Sequence, residues 1–184
     1  MILMRVPVPR YDGGWLDILW SEDARVSVSE QQGVVRIGAN AAGIYALARQ
    51  MLYFACNDFG VGAHVHYEER LFPKGWSGCP LVLVRLCQPD RQIDTEDDEI
   101  LLRLPSSQDG IPVLAPPACV HTSMDHREIL LQGNSDGLFQ LGRQLLFVCC
   151  GMQSTLSLNS AAYGDVWEGI PFEFVLSGEP MNVP

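Results

Sequence analysis

The 184-residue chain lacks the apolar segments that would place it in a membrane. No apolar run approaches the roughly 18 to 20 residues that a helix needs to cross a bilayer. The N-terminal stretch "MILMRVPVPRYDGG" is interrupted by Pro7 and Pro9, so it does not have the continuous apolar region of a secretory signal. Because 47% of the residues are nevertheless apolar, we expect a cytoplasmic protein with a substantial core.

Basic residues are scarce. The chain has 12 Lys and Arg against 22 Asp and Glu, which gives a net charge of −10. Nucleic acid and anionic membranes would be repelled by such a protein, so neither is an expected partner. Five of the six residues in "DTEDDE", at 94–99, are carboxylates. This run permits a basic protein partner, although an acidic run is more often a solvated loop that aids solubility.

Catalytic and metal-binding signatures are also missing. The chain contains no GxSxG, no HExxH and no local signature of a nucleophilic cysteine. Its six cysteines include no CxxC pair, and most lie in apolar runs, where we expect reduced, buried thiols. The sequence therefore gives no support for an enzyme and predicts no cofactor.

His64 and His66, in "HVHY", are the best candidates for metal ligands. Alternate residues of a strand point to the same side, so the two imidazoles could share an ion. A third ligand would have to come from His121, Asp125 or His126, which only the tertiary fold could bring near. We therefore predict satisfied or exposed histidines and no bound metal.

The most specific signal in the sequence is an internal repeat. Residues 24–56 align without a gap to 118–150, and ten of the 33 aligned pairs are identical. Farther along, 64–85 align with 155–176, which superimposes "WSGCP" on "WEGIP". We interpret the chain as two copies of one supersecondary unit.

Periodicity gives the structure of that unit. Each copy opens with two alternating or β-branched strands, continues through a helix with one apolar face and closes with a strand hairpin. Asn40 and Asn134 occupy the N-cap positions of the two helices. Gly43 and Gly137 lie in the first helical turns, where we expect the helix to approach a strand closely.

The predicted fold is α+β, an internal duplication of a β-β-α-β-β unit with two helices packed on antiparallel sheets and pseudo-twofold symmetry. Residues 1–87 form the first unit, 88–117 an acidic, proline-containing connection with one strand, and 118–184 the second unit, in one compact body. We expect "WLDILW" (15–20) and "EILLRL" (99–104) to be additional strands that extend the sheets. Mutual packing of the helices would cover Tyr53 and Phe147.

The segment from Val35 to Arg85 resembles the small β-α-β-β immunity proteins of bacterial polymorphic toxin systems. The resemblance lies in "IGAN", the helix "AAGIYALARQML", the strand "HVHY" and a closing strand. It recurs in the second copy without the histidines. Such a resemblance implies a non-catalytic protein that binds a cognate toxin in the producing cell and blocks its active site.

The same resemblance suggests a partner surface. An acidic protein is steered electrostatically towards a basic toxin domain, so the first partner-binding candidates are the carboxylates of the acidic run: Asp94, Glu96, Asp97, Asp98 and Glu99. Two alternatives stay open, namely an assembly module that forms oligomers and a metal-dependent enzyme that uses His64 and His66. The chain itself could be a monomer or a homodimer.

Overall fold

The computed structural model describes residues 2–60, 62–86, 98–105 and 114–181. In this part of the chain there are twelve strands, three α-helices and a 3₁₀ turn at Gly164–Val166. No helix among the described residues is long and apolar enough to cross a membrane. In chain order the elements are β1 (Ile2–Pro7), β2 (Val26–Gln31), β3 (Val34–Ala39), α1 (Ala41–Cys56), β4 (His64–Tyr67), β5 (Trp76–Gly78), β6 (Leu81–Arg85), β7 (Glu99–Leu104), β8 (Val120–Asp125), β9 (Glu128–Gly133), α2 (Ser135–Cys149), β10 (Thr155–Leu158), α3 (Ser160–Tyr163), β11 (Trp167–Gly169) and β12 (Phe172–Leu176).

Ten of the strands form two five-stranded sheets. The first sheet has the order β10-β12-β3-β2-β5, and the second has the order β4-β6-β9-β8-β11. Hairpins β2–β3, β8–β9, β4–β6 and β10–β12 are antiparallel, whereas β12–β3, β6–β9, β2–β5 and β8–β11 run parallel. The α+β class is confirmed, but the prediction of antiparallel sheets was wrong because the sheets are mixed.

The mixed sheets arise from an exchange of hairpins. Strands β4 and β6 follow α1 in the chain, yet they pair with β9 of the later half. Strands β10 and β12 follow α2, yet they pair with β3 of the earlier half. Each sheet therefore contains strands from both halves. The predicted β-β-α-β-β unit also missed a strand, since the short β5 and β11 precede the last strand of each half.

Matching side chains begin the two long helices. The Oδ1 of Asn40 accepts the backbone N–H groups of Gly43 and Arg25, each at 2.9 Å. The Oδ1 of Asn134 accepts the corresponding groups of Gly137 and Cys119 at 2.8 and 2.9 Å. Both predicted N-caps are confirmed, and each also fixes the chain just before a strand.

The helical glycines have the predicted steric role. A Cβ atom on Gly43 would lie 2.5 Å from the carbonyl oxygen of Arg25, and one on Gly137 would lie 2.4 Å from that of Cys119. Only glycine permits so close an approach of the helix start to the chain entering a strand. The close approach that the sequence predicted is therefore confirmed.

The two helices pack against each other and lie at the centre of the core. A Cβ atom on Gly142 would lie 3.0 Å from Cγ of Leu52 and 3.1 Å from the carbonyl oxygen of Ala48, so the helices are closest near this glycine. Tyr53 and Phe147 are both buried. The Tyr53 ring, however, lies 5.0 Å from that of Phe59, and its hydroxyl accepts the N–H of Asp17, so an N-terminal segment helps to cover it.

Strands β1 and β7 form a separate antiparallel pair, here called the ribbon. "EILLRL" is a strand as predicted, but "WLDILW" is not, and neither extends a five-stranded sheet. Arg49 of α1 donates to the carbonyl of Pro7, and Arg143 of α2 donates to that of Arg103, both at 2.9 Å. The ribbon therefore joins both helices, and its inward side chains belong to the core: Met4, Val6, Ile100, Leu102 and Leu104.

Candidate partner-binding surfaces

The acidic run is partly visible in the structure. Asp94, Glu96 and Asp97 lie outside the described residues. Asp98 is fixed by its backbone and its side chain, because its carbonyl accepts the N–H of Val8 at 2.7 Å and its carboxylate accepts that of Arg10 at 3.2 Å. Asp98, the first described residue of the acidic run, therefore joins the chain next to the end of β1.

The carboxylates of Asp98 and Glu99 also form ion pairs with the N-terminal strand region. Asp98 lies 3.7 Å from Nε of Arg10, and Glu99 lies 3.5 Å from a guanidinium nitrogen of Arg5. Their side chains are 61% and 41% exposed. Such exposed pairs contribute little to stability, so both carboxylates remain available to a partner.

A second candidate surface is the solvent side of the second sheet, here called the histidine face. The strand registers place alternate residues of five neighbouring strands on this side. Its polar groups lie around a central apolar strip. The registers place on this side His64 and His66 from β4, Val82 and Val84 from β6, Glu128, Leu130 and Gln132 from β9, His121, Ser123 and Asp125 from β8, and Glu168 from β11; Val82 among them is buried.

The two histidines of β4 are neighbours, as the sequence predicted. Their ring centroids are 5.1 Å apart. Nδ1 of His64 is 2.9 Å from the carbonyl oxygen of Gly62, whereas Nδ1 of His66 is 3.6 Å from a carboxylate oxygen of Glu128. Within the described residues, no three His, Cys, Asp or Glu side chains are grouped so that they could hold a metal ion.

His121 lies on the histidine face but is too distant to join the β4 pair. In one cross-strand row, His64 is opposite Val84, Val84 is opposite Gln132, and Gln132 is opposite His121. Three strand spacings separate the outer members by about 14 Å. The ring of His121 instead lies 3.6 Å from the carboxylate of Glu168.

The turn near His126 does not supply a third ligand. His126 lies at the tip of the β8–β9 hairpin, with its side chain 96% exposed, and its Nε2 is 3.4 Å from a carboxylate oxygen of Asp125. Both residues thus form a local pair at the hairpin tip. The fold places His66 beside His64 and beside Glu128, but it does not gather the wider set that the sequence analysis considered.

The solvent side of the first sheet has different chemistry. Arg36 of β3 forms a 2.6 Å ion pair with Glu173 of β12. Ser27 and Ser29 of β2 share this side with them. The two sheets therefore have equivalent strand orders but unlike surfaces, and the histidines distinguish the second one.

The repeated Trp-x-Gly-x-Pro motif marks the passage of the chain between the sheets. Strand β5 pairs with β2 in the first sheet, and β6 pairs with β9 in the second. Nε1 of Trp76 donates to the carbonyl of Cys79 at 3.1 Å, and Nε1 of Trp167 donates to that of Ile170 at 3.3 Å. Both indoles are buried, which assigns the motif to the architecture rather than to an exposed surface.

Arg85 is a buried residue that the sequence analysis missed. It lies at the end of β6 and is completely buried. Its guanidinium donates to the carbonyl of Phe54, near the end of α1, and to the hydroxyl of Ser135, at the start of α2. The aligned residue of the later half is Leu176, so this link between the helices occurs once. The only signal in the sequence was a charged residue ending an apolar strand.

The described cysteines are free thiols. Burial raises the pKa of Cys56 and of Cys149 to about 12. The Sγ of Cys149 lies 3.3 Å from the carbonyl oxygen of Ala41, to which its thiol can donate. Both thiols are therefore neutral near pH 7 and poor nucleophiles. The prediction that most cysteines are buried holds for Cys149 and Cys150 but not for Cys119, which is exposed, while Cys56 and Cys79 are partly buried.

Comparison with known families identifies part of the chain. Residues 34–86 match the sequence model of the family described as immunity protein 32. This confirms the predicted resemblance to immunity proteins over the segment from β3 to β6. No curated protein and no solved structure matches the chain.

The matched segment covers several of the features described above. It includes α1, the β4 histidines, the first Trp-x-Gly-x-Pro motif and Arg85. It ends before the acidic run and begins after the first 33 residues. The acidic run and the first 33 residues therefore lie outside the matched segment.

Proposed function

We propose that this chain is a non-catalytic, cytoplasmic protein-binding module that acts as an immunity protein, binding and neutralising a cognate bacterial toxin. The observation that carries the proposal is the match of residues 34–86 to immunity protein 32. An immunity protein acts by occupying its partner, so it needs a stable surface and no catalytic group. The rigid sheets and the neutral, buried thiols are compatible with that role.

The proposed partner is a basic toxin domain. The net charge of −10 favours association with a basic protein and disfavours nucleic acid. We assign the first contacts to the acidic run, Asp94, Glu96, Asp97, Asp98 and Glu99. The exposure of Asp98 and Glu99 next to the end of β1 supports this assignment.

The architecture behind the surface is proposed to be a duplicated unit with pseudo-twofold symmetry. Strands β2 and β3 precede β8 and β9 by 94 residues at both of their ends, and β4, β5 and β6 precede β10, β11 and β12 by 91. The equivalent strand orders of the two sheets support the same reading. Units 1–87 and 118–184 joined by 88–117 would then be one interlocked body, because each contributes a hairpin to the other's sheet.

A co-expression experiment tests the function. The reading frames beside this gene would be searched for a toxin-like domain, which would then be expressed in a sensitive bacterial host with and without this chain. Survival in the presence of the chain, together with a stoichiometric complex of the purified proteins, is the expected result. Loss of viability despite soluble expression of this chain would contradict the proposal, and concentration-dependent oligomers in that case would favour the assembly alternative.

Charge reversal tests the acidic surface separately. The triple variant Asp94→Lys, Glu96→Lys and Asp97→Lys should associate with the toxin domain at least about tenfold more slowly at low salt, with a weaker salt dependence. A control reverses three exposed carboxylates elsewhere, Glu69, Asp165 and Glu179, and changes the net charge equally. If the association rate falls by the same factor in both variants, only the overall charge matters and the assignment to the acidic run is wrong.

A further inference from the structure

The segment between β1 and β2 exposes two large apolar side chains. Trp15 is 96% exposed and Ile18 is 44% exposed. An indole buries more apolar area in a protein contact than almost any other side chain, and leaving it in water forgoes that stabilisation. Trp15 is the most exposed of the large apolar residues in the described part of the chain.

Buried side chains of α1 fix the backbone that displays Trp15. Gln50 accepts the N–H of Leu19 at 2.9 Å and donates to the carbonyl of Asp17 at 3.2 Å. The hydroxyl of Tyr53 accepts the N–H of Asp17 at 3.4 Å. Gln50 and Tyr53 are fully buried, and burial of polar groups is favourable only when they keep such partners. The segment on both sides of Ile18 is therefore held in place by the core.

Other apolar residues of the segment pack it against the core. Leu16, Leu19 and Trp20 contact the core cluster. The Trp20 ring lies 4.6 Å from that of Phe72, at the edge of an aromatic group that also contains Trp76. Trp15 and Ile18 are thus the members of this segment that face outward, and the fold does not need them for its own core.

The segment that carries Trp15, between Arg10 and Arg25, is acidic in sequence. Residues 11–24 contain four carboxylates, Asp12, Asp17, Glu22 and Asp23, and no Lys or Arg. The segment starts where β1 ends, next to Asp98 and hence to the end of the acidic run. An exposed apolar pair on an acidic segment is complementary to an apolar pocket bordered by Lys and Arg.

We propose that Trp15 and Ile18 are the apolar anchor of the partner interface, with Asp12, Asp17 and Asp98 as its charged rim. This inference rests on the proposed function and assigns its principal contact to a segment outside the matched region 34–86. The occupant is a basic toxin domain that receives the indole in an apolar pocket. A second copy of this chain is disfavoured, because it would bring two acidic rims of the same sign together.

The test measures binding to the toxin-like domain encoded beside this gene, produced as a catalytically inactive variant. Trp15→Ser should raise the dissociation constant of the complex at least about 30-fold, which is typical of a truncated aromatic hot spot. Ile18→Ser should weaken it less. The matched control is Met124→Ser, which removes an apolar side chain that is 38% exposed on the β8–β9 hairpin, beside the histidine face. Thermal unfolding of Trp15→Ser should match that of the wild type, because this side chain is 96% exposed and has almost no contacts to lose.

The outcomes separate the two proposals. Strong binding by the wild type and weak binding by Trp15→Ser, with Met124→Ser unchanged, supports the anchor. Strong binding by all three proteins, or a loss confined to Met124→Ser, overturns the anchor and leaves the proposed function intact. Failure of the wild type to bind or to protect cells overturns the proposed function and the anchor with it. A blue shift of the tryptophan emission on binding, absent in Trp15→Ser, provides an independent reading of the same contact.

Discussion

Gly78 lies against the backbone of Val28, and a Cβ atom placed on Gly78 would be 1.9 Å from the carbonyl oxygen of Val28. The corresponding pair is Gly169 and Thr122, at 1.8 Å. Both glycines have positive φ angles, +91° and +106°. The glycine of the Trp-x-Gly-x-Pro motif is therefore required by contact with the neighbouring strand as well as by its own conformation.

Gly78→Ala should lower the free energy of unfolding by more than about 3 kcal/mol, because it adds a steric overlap to an unfavourable φ. Gly178→Ala is the matched control, since Gly178 has φ +92° and nothing within 4 Å of its would-be Cβ. We expect the control to cost about 1 kcal/mol. Urea denaturation measures both variants, and equal losses would show that the contact with Val28 does not matter.

The N-cap asparagines should be among the most sensitive polar residues. Asn134→Ala removes the bonds to Gly137 and Cys119 and a donor bond to the carbonyl of Pro117 at 2.8 Å. We expect a loss of at least about 2 kcal/mol in the free energy of unfolding, and the same for Asn40→Ala. Asn159→Ala, at the start of the four-residue α3, should cost less than half as much. Equal effects at all three positions would contradict the role assigned to the shared network.

The β8–β9 turn offers a stabilising substitution. His126 and Arg127 have φ angles of +47° and +75°, whereas the equivalent turn of the β2–β3 hairpin has glycine at its second position, Gly33. Arg127→Gly should raise the free energy of unfolding by about 0.5 to 1 kcal/mol, the relief of the left-handed conformation less the entropy of glycine. Arg127→Ala removes the charge but keeps the unfavourable φ, so it should not stabilise. Thermal denaturation measures both variants. If the alanine variant is stabilised as much as the glycine variant, the gain comes from removing the charge of Arg127 and not from its φ angle.

Arg85 should be sensitive to the size of its replacement. Arg85→Ala leaves a cavity and removes the donors to Phe54 and Ser135, so we expect a loss of at least about 3 kcal/mol in the free energy of unfolding. Arg85→Leu places the residue of the equivalent position, Leu176, and should recover part of that loss by filling space. Chemical denaturation compares the two variants. A leucine variant as unstable as the alanine variant would assign the whole effect to the lost hydrogen bonds.

Alkaline pH should destabilise the fold through its buried thiols. In the unfolded chain a thiol loses its proton near pH 8.5, whereas in the folded protein the pKa of Cys149 is raised to about 12. The folded state therefore retains protons that the unfolded state has lost, and stability falls as pH rises above about 8.5. Between pH 9 and 11 each such thiol should lower the free energy of unfolding by up to about 1.4 kcal/mol per pH unit. Cys149→Ala should have a shallower dependence, and an unchanged slope would contradict this origin.

The sequence predicted secondary structure well wherever that structure depends on residues close together in the chain. The alternating strands, the helices with Asn40 and Asn134 at their starts, and the close approach at Gly43 were all inferred correctly. "WLDILW" was misassigned because its backbone bonds to Gln50 and Tyr53 of α1 rather than pairing with a strand. Only part of its apolar set packs on the core, namely Leu16, Leu19 and Trp20. The histidine pair of β4 was correctly placed on one side, since strand alternation fixes that relationship.

The surfaces could be predicted only in part. The acidic run is evident from composition, but its attachment to the end of β1 depends on hydrogen bonds between Asp98 and residues about 90 positions earlier. Trp15 reads in the sequence as one more apolar residue, and only the bonds from Gln50 and Tyr53 determine that it faces solvent. The role of Arg85 likewise could not be predicted, because it depends on the end of α1 and the start of α2 lying close together in the fold.

The sequence by itself predicted the repeated pattern, the two long helices and most of the strands, because periodicity, caps and turn residues act over a few positions. Only the tertiary structure decided that β4 and β6 join β9 while β10 and β12 join β3. The β4–β6 and β10–β12 hairpins have the same apolar pattern, so the sequence does not indicate which sheet each of them joins. Their choice depends on the packing of the helices and on the turn at each Trp-x-Gly-x-Pro motif, which directs the chain from one sheet into the other.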